Sequence, residues 1–167
     1  MACEYLGIDL SLDKNRYPHD FKRWHDIRTN ECRSEKAKRD EENRKHFYEN
    51  FRAVANKYGV LQYEKIGFVC IIAKSPNELK EEGSTLHHCV GSMGYDQKFV
   101  DEKSLIFFIR TKEQPNKPLV TVEYSIKDKK VLQCYGEHNS KPSEEILSFV
   151  NQKWLPYAKR QMKQIAA

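Results

Sequence analysis

The sequence lacks a long hydrophobic run, and no apolar stretch approaches the roughly 18 to 20 residues that a membrane-spanning helix needs. Its five cysteines are scattered without a C-x-x-C pair, and their odd number argues against a disulfide framework or a zinc ribbon. The opening residues also lack the basic and apolar regions of a signal peptide. We therefore expect a cytoplasmic protein that does not contact the membrane.

Familiar catalytic motifs are missing as well. The chain contains no Walker loop, Rossmann glycine fingerprint, nucleophile-elbow serine, H-E-x-x-H helix or kinase signature. The common nucleotide-binding and zinc-hydrolase classes therefore lose support, and we predict no cofactor. A bound metal ion is the open alternative. Residues of the types that bind zinc or iron are present, although their spacing is not diagnostic. They are His25, His87 or His88, Cys89 and His138.

The composition favours one globular domain. A chain of 167 residues is long enough to bury a single core, and 39% hydrophobic residues supply the material for it. The net charge of +5 modestly favours polyanions, so a nucleic acid is a permitted partner without being required.

Helical patterns occupy both ends of the chain. Helix-forming residues dominate from about 31 to 58, where one apolar stripe ends at Gly59; its members are Phe47, Phe51, Val54, Ala55 and Tyr58. Residues 75–78 carry a serine cap, a proline and a capping-box glutamate, which predict a short helix that ends at Gly83. A closing helix follows residue 142, and Pro156 should kink or break it.

Strand patterns fill the middle of the chain. Residues 61–74 predict a hairpin that turns near Gly67, and the runs 104–110, 118–125 and 130–137 predict a three-strand meander. The fold class is therefore α+β, with an antiparallel sheet of about five strands packed by a long N-terminal helix, a short capped helix and a C-terminal helix. Within this single domain we expect a mostly helical segment at 1–58, the sheet with an inserted His-Cys loop at 59–141, and the closing helix at 142–167.

The charged half of the long helix has two interpretations. Its basic residues could bind phosphate groups of a nucleic acid: Arg33, Lys36, Lys38 and Arg39. Acidic residues alternate with them, however, and mixed charge of this kind is typical of a solvated helix face.

The segment 81–95, EEGSTLHHCVGSMGY, concentrates residues that could carry chemistry. Cys89 could be a nucleophile, because a thiolate beside an imidazole attacks carbonyl or phosphoryl centres readily. His88 is its chain neighbour, but adjacent side chains usually diverge, so we expect the base to come from elsewhere, with His138 or His25 as candidates. The alternative is a buried structural thiol.

Polar residues interrupt the three strands of the meander. Arg110, Glu123 and Gln133 converge into a site if they share one face of the sheet, and are ordinary surface groups if they face water. The last strand then ends in residues that could orient a substrate or form a simple turn: Gly136, His138 and Asn139.

The segments EEGSTLHHCVGSMGY, SLIFFIR, PLVTVEY and VLQCYGEHN, in this order and spacing, resemble the PcfJ-like protein family of conjugative plasmids, phages and other mobile elements. Residues 4–26 and the closing helix with Trp154 extend the resemblance over most of the chain. The resemblance implies positions of interest at His25, Asp26, Glu82, Gly83, His88, Cys89, Val90, Tyr95, Arg110, Glu123, Gln133, Gly136 and Asn139.

Three functions are compatible with these features. The resemblance implies a domain that acts on nucleic acid or a nucleoprotein complex, in DNA transfer or in countering host defence. The residues also permit a hydrolase or transferase that uses Cys89 and a histidine together with Asn139. The third is a non-catalytic module that binds a protein of the host or of the element.

Overall fold

The computed structural model describes residues 5–166, so Cys3 lies outside the described residues. The chain forms two compact units, residues 1–46 and residues 47–167. Within the described range no helix is long and apolar enough to cross a membrane. The organisation of the chain as a single domain stays a prediction.

The first unit contains helix α1 (Asp13–Arg16) and most of helix α2 (Phe21–Lys57). Helix α2 begins earlier than the sequence predicts, because the Asp20 carboxylate accepts a hydrogen bond from the backbone N–H of Arg23 at 2.9 Å and caps the first turn. Exposed ion pairs between residues three apart follow along it, for example Lys38 with Glu35 at 3.2 Å. The charged segment is therefore a solvated helix.

The second unit begins with the apolar end of helix α2. Phe51, Val54 and Ala55 are buried there, which confirms the predicted stripe. The helix ends at Lys57, and a 3-10 turn follows at Gly59–Leu61.

A five-stranded antiparallel sheet forms the centre of the second unit, with the strands in chain order: β1 Tyr63–Lys65, β2 Phe68–Ile72, β3 Ser104–Thr111, β4 Val120–Ser125 and β5 Lys130–Tyr135. Strands β1 and β2 turn through Ile66 and Gly67, which have φ angles of 54° and 76°. Two left-handed residues are what a tight hairpin turn requires, and glycine adopts that conformation at little cost. The predicted hairpin and meander are confirmed.

Strands β3 and β4 are buried on both faces. Side chains alternate along a strand, so Phe107 and Tyr124 face one side of the sheet, where both contact Trp154 with ring centroids 4.8 and 5.6 Å away. Thr121 and Glu123 of β4 occupy the alternate positions. One face of the sheet is thus apolar, and the other carries polar groups.

Helix α3 (Pro76–Leu86) lies beyond β2. Ser75 caps it as predicted, since its hydroxyl accepts a hydrogen bond from Glu78 N–H at 3.3 Å. The prediction that Gly83 ends this helix is wrong. Gly83 lies inside the helix, which continues to Leu86. Glycine is needed at this position because a Cβ atom there would come within 2.9 Å of the His88 carbonyl oxygen. The glycine therefore allows the following loop to pack directly on the helix backbone.

The loop after helix α3 contains more regular structure than the sequence indicates. A 3-10 turn spans Cys89–Gly91, and helix α4 covers Tyr95–Val100. Phe99 of helix α4 stacks on Phe51 with ring centroids 4.0 Å apart. This contact fixes the far end of the loop to the core.

The chain closes as one continuous helical stretch. Helix α5 (Glu144–Ser148) passes through a π-helical turn, Phe149–Trp154, into helix α6 (Leu155–Ile165). The π turn places Pro156 in the first turn of helix α6, where a missing backbone N–H costs little. The indole N–H of Trp154 donates to the Leu61 carbonyl at 2.9 Å and anchors the helix.

Candidate functional site

The His-Cys loop folds back onto the polar face of the sheet and creates a shared pocket. The pocket is small, with a cavity volume of about 30 Å³, and it lies between the loop, strands β4 and β5, and the turn after β5. Predicted site residues make up most of the lining: His88, Cys89, Val90, Tyr95, Glu123, Gln133 and Asn139. The structure therefore brings these residues together around one pocket.

His88 forms one wall of the pocket. Its ring is half-buried, and its Nε2 atom lies 3.0 Å from the Thr121 hydroxyl oxygen. Burial of the ring lowers the pKa of His88, while its own backbone and the Glu82 carboxylate oppose the shift. A lowered pKa keeps the imidazole neutral near pH 7, which is the form able to accept a proton.

A buried ion pair lies behind His88. The Arg110 guanidinium donates to both carboxylate oxygens of Glu82, at 3.0 and 2.5 Å, and both side chains are almost fully buried. The Thr121 hydroxyl donates to the same carboxylate at 3.1 Å. Glu82 and Arg110 therefore connect to the pocket through Thr121, and neither lines it.

Tyr95 and Gln133 form the opposite side of the pocket. The Tyr95 hydroxyl donates to the amide oxygen of Gln133 at 3.4 Å. Burial raises the pKa of Tyr95; the hydrogen bond to Gln133 opposes this, and Glu123 and Cys89 add to it. Since the Gln133 oxygen accepts from Tyr95, its amide NH₂ group is available to donate into the pocket.

Glu123 is a buried carboxylate in the pocket lining, 5% exposed. Ser104 donates to its Oε1 atom at 2.8 Å, and the Lys98 ammonium lies 3.7 Å from the same atom. No donor within residues 5–166 reaches the other oxygen, Oε2. The carboxylate therefore keeps an acceptor for a ligand.

Cys89 is exposed at the pocket, which excludes the alternative of a buried structural thiol. Two cysteines of the sheet are less exposed, and burial raises the pKa of Cys134 to about 11 and also raises the pKa of Cys70. The ring of His88 bonds to Thr121 and not to the thiol. Proton transfer between Cys89 and His88 would therefore need a bound substrate or a bridging water.

The turn after β5 divides its predicted residues between two places. Asn139 lines the pocket, and Gly136 supports the turn through a hydrogen bond from its N–H to the Ser140 carbonyl at 2.9 Å. His138 points elsewhere and stacks on His87 with ring centroids 4.8 Å apart. It does not line the pocket that contains Cys89.

A metal ion has weak support from this arrangement. His87, Glu137 and His138 place their donor atoms within 4.8 Å of one another, but all three are exposed. The two rings are also nearly parallel, at 10°, so their nitrogen lone pairs do not converge on one point. The metal ligands that the sequence suggested are not brought together either, because His88 and Cys89 line a pocket that does not include His138.

The remaining predicted residues belong to the first unit. His25 is exposed, with its Nδ1 atom 3.6 Å from the Asp26 carboxylate. Of the predicted phosphate-binding residues, Lys38 pairs with Glu35 and Arg39 lies 4.9 Å from the ring centroid of Tyr5. Their roles in binding stay predictions.

Sequence reasoning missed three residues of this site: Thr121, Ile106 and Tyr135, all of which line the pocket. Thr121 has the one available signal, since it lies two positions before Glu123 and so shares its face of β4. A threonine in a strand is otherwise unremarkable, because β-branched residues favour strands in general.

Comparisons with known proteins place the chain in a family. The model of the PcfJ-like protein family matches residues 1–150. A protein of Listeria innocua, described as uncharacterized protein Lin1253/Lin1744, is 31% identical over 111 residues. The alignment covers 62% of this chain and 24% of that relative, so the chain corresponds to about a quarter of its length. No solved structure matches the chain. With a family match over 150 residues that include the whole pocket, the chain belongs to the PcfJ-like protein family.

Proposed function

We propose that this domain is a thiol-dependent hydrolase or transferase in which Cys89 is the nucleophile and His88 accepts its proton. The observation that carries the proposal is the exposed thiol in a pocket that also holds a half-buried imidazole whose pKa is lowered. A nucleophile, a base and hydrogen-bond donors in one concave site are the parts that acyl transfer needs.

The chemistry follows from the groups that line the pocket. The Cys89 sulfur attacks an electrophilic carbonyl carbon, and its proton passes to the imidazole of His88. The carbonyl oxygen becomes an oxyanion, which can accept hydrogen bonds from the amide NH₂ groups of Gln133 and Asn139. His88 then returns the proton to the leaving group, and water or a second substrate releases the acyl group from sulfur. Each step balances without an oxidant or a metal.

An activated ester tests this proposal without knowledge of the natural substrate. The full chain mixed with p-nitrophenyl acetate should release a burst of one equivalent of p-nitrophenolate as Cys89 is acylated. The C89A variant should lose the burst, and C32S should keep it, because Cys32 does not line the pocket. A burst that survives in C89A, or no burst in the wild type, contradicts the proposal.

A second candidate function is nucleic-acid binding by the first unit, for which the net charge of +5 is the supporting observation. Arg33 and Lys36 are exposed on helix α2, whereas Lys38 is paired with Glu35. Binding of a fluorescein-labelled DNA or RNA should therefore weaken as salt rises, and R33A/K36A should reduce the salt slope more than K38A does. A flat titration at low ionic strength contradicts this function.

The biological setting is proposed from the family alone. Membership of the PcfJ-like family supports service to a plasmid or phage, in conjugation or counter-defence, with a partner from the host or the element. The four free cysteines among the described residues support a reducing cytoplasm. A protein-binding module is favoured if His88 and Cys89 variants fail to fold and show no loss of activity that is separate from the loss of folding.

A further inference from the structure

The hydrogen bonds around Thr121 determine which nitrogen of His88 carries a proton. The Thr121 hydroxyl has one hydrogen and lies within hydrogen-bond distance of two groups, the Glu82 carboxylate at 3.1 Å and the Nε2 atom of His88 at 3.0 Å. One hydrogen can be donated only once. The direction of both bonds therefore depends on what Glu82 can do.

Glu82 can only accept. Its side chain is 2% exposed, and the Arg110 guanidinium donates to both of its oxygens. A bidentate guanidinium favours the ionised carboxylate, which has no hydrogen to donate. Thr121 must then give its hydrogen to Glu82, and its oxygen is left to accept from the Nε2–H group of His88.

We infer that Thr121 and Glu82 are positioning residues that hold His88 as the Nε2–H tautomer, which leaves Nδ1 as the ring nitrogen able to accept a proton. This inference rests on the proposed function for the role of His88. Arg110 acts one step further back, because it keeps Glu82 an acceptor.

Three separate elements carry this network, and their packing makes it rigid. Glu82 lies on helix α3, Arg110 on strand β3 and Thr121 on strand β4. The loop that bears His88 is pressed onto helix α3 at Gly83 and Gly91, where added Cβ atoms would come within 2.9 and 2.8 Å of backbone atoms. The backbone that bears His88 is therefore packed closely against helix α3.

The opposite tautomer makes a distinct prediction. If Nδ1 carried the proton, Thr121 would have to donate to Nε2, and the Glu82 oxygen at 3.1 Å would lose its hydroxyl donor. A buried carboxylate oxygen that loses a donor is destabilised. The two arrangements can therefore be separated by observing the ring nitrogens directly.

Long-range ¹H–¹⁵N NMR spectra of the full chain at pH 7.5 test the inference, with the His88 signals assigned by their loss in H88Q. We expect a protonated Nε2 and an unprotonated Nδ1, with a slowly exchanging Hε2 signal. T121V should lose that slow exchange, and T121S, which keeps the hydroxyl, should restore it. A wild-type Nδ1–H tautomer, or a T121V spectrum identical to the wild type, overturns the inference.

The result remains decisive if T121V does not fold, because the wild-type tautomer alone tests the direction of the bonds. Where the p-nitrophenyl acetate burst is present, T121V should slow it by about 10-fold or more and T121S should recover it, since a positioned base contributes at least that much. A correct tautomer without any burst removes the proposed catalysis and leaves the network intact, so the two failures are distinguishable.

Discussion

The buried pair of Arg110 and Glu82 permits a quantitative test of how this fold is stabilised. Replacing Arg110 by methionine removes the guanidinium and leaves the Glu82 carboxylate, 2% exposed, without its counter-charge. Breaking a buried ion pair from one side costs about 3–5 kcal/mol, because the remaining charge is neither solvated nor paired. Replacing Glu82 by leucine should cost a similar amount, because it leaves the Arg110 guanidinium buried without its counter-charge.

The double variant E82L/R110M should behave differently. It removes both charges together and fills the space with apolar atoms, a change that is often neutral or stabilising by about 1–4 kcal/mol. Thr121 loses its acceptor in this variant, which costs on the order of 1 kcal/mol. We therefore expect the double variant to lie close to the wild type and well above either single variant in its free energy of unfolding.

Urea unfolding followed by circular dichroism measures these differences. With a slope of about 1–3 kcal/mol/M for a small protein, each single variant should lower the urea midpoint by about 1–5 M at an unchanged slope. The matched control is K112M, which removes an exposed ion pair, since Lys112 lies 2.6 Å from Glu64. This variant should leave the urea midpoint unchanged. The reasoning is refuted if R110M unfolds at the wild-type midpoint, or if the double variant is as unstable as the two single variants combined.

Three further predictions concern the loop and the thiols. Iodoacetamide at pH 8 should alkylate Cys89 far faster than Cys134, whose pKa of about 11 leaves about one thiol in a thousand ionised; equal rates by mass spectrometry would contradict the burial. G83A should lower the free energy of unfolding by about 1–3 kcal/mol, because its Cβ would lie 2.9 Å from a carbonyl oxygen, whereas G59A, which meets no atom within 4 Å, should unfold like the wild type. Burial lowers the pKa of His88 below its unfolded value, so its contribution to stability is present at neutral pH and falls as acid protonates the unfolded state first. The urea midpoint should therefore depend less on pH between pH 7 and pH 5 in H88Q than in the wild type. An unchanged pH dependence in H88Q would exclude this cause.

Local signals predicted the elements whose structure depends on near neighbours. The capping box at residues 75–78 involves only atoms within a few residues, so helix α3 begins where the sequence indicates. Its end was wrong because Gly83 is used for close packing against His88, and a glycine selected for packing looks the same in the sequence as one that ends a helix.

The polar strand residues show the same division. Alternation along the strands places Arg110 and Glu123 on one face of the sheet, as the pattern allowed. The register then separates them, because Arg110 is opposite Val69 while Glu123 is opposite Ile106 and Gln133. Arg110 consequently stabilises Glu82, and only Glu123 and Gln133 reach the pocket.

By itself, the sequence determined the family, the five strands, the apolar stripe of the long helix and the loop that carries the thiol, because periodicity, capping and motif order are properties of the chain alone. Tertiary structure alone decided that Cys89 is exposed, that His138 stacks on His87 outside the pocket and that Thr121 links His88 to Glu82. Those three facts depend on which distant segments meet, and Glu82 and Thr121, 39 positions apart, carry no local signal of their contact.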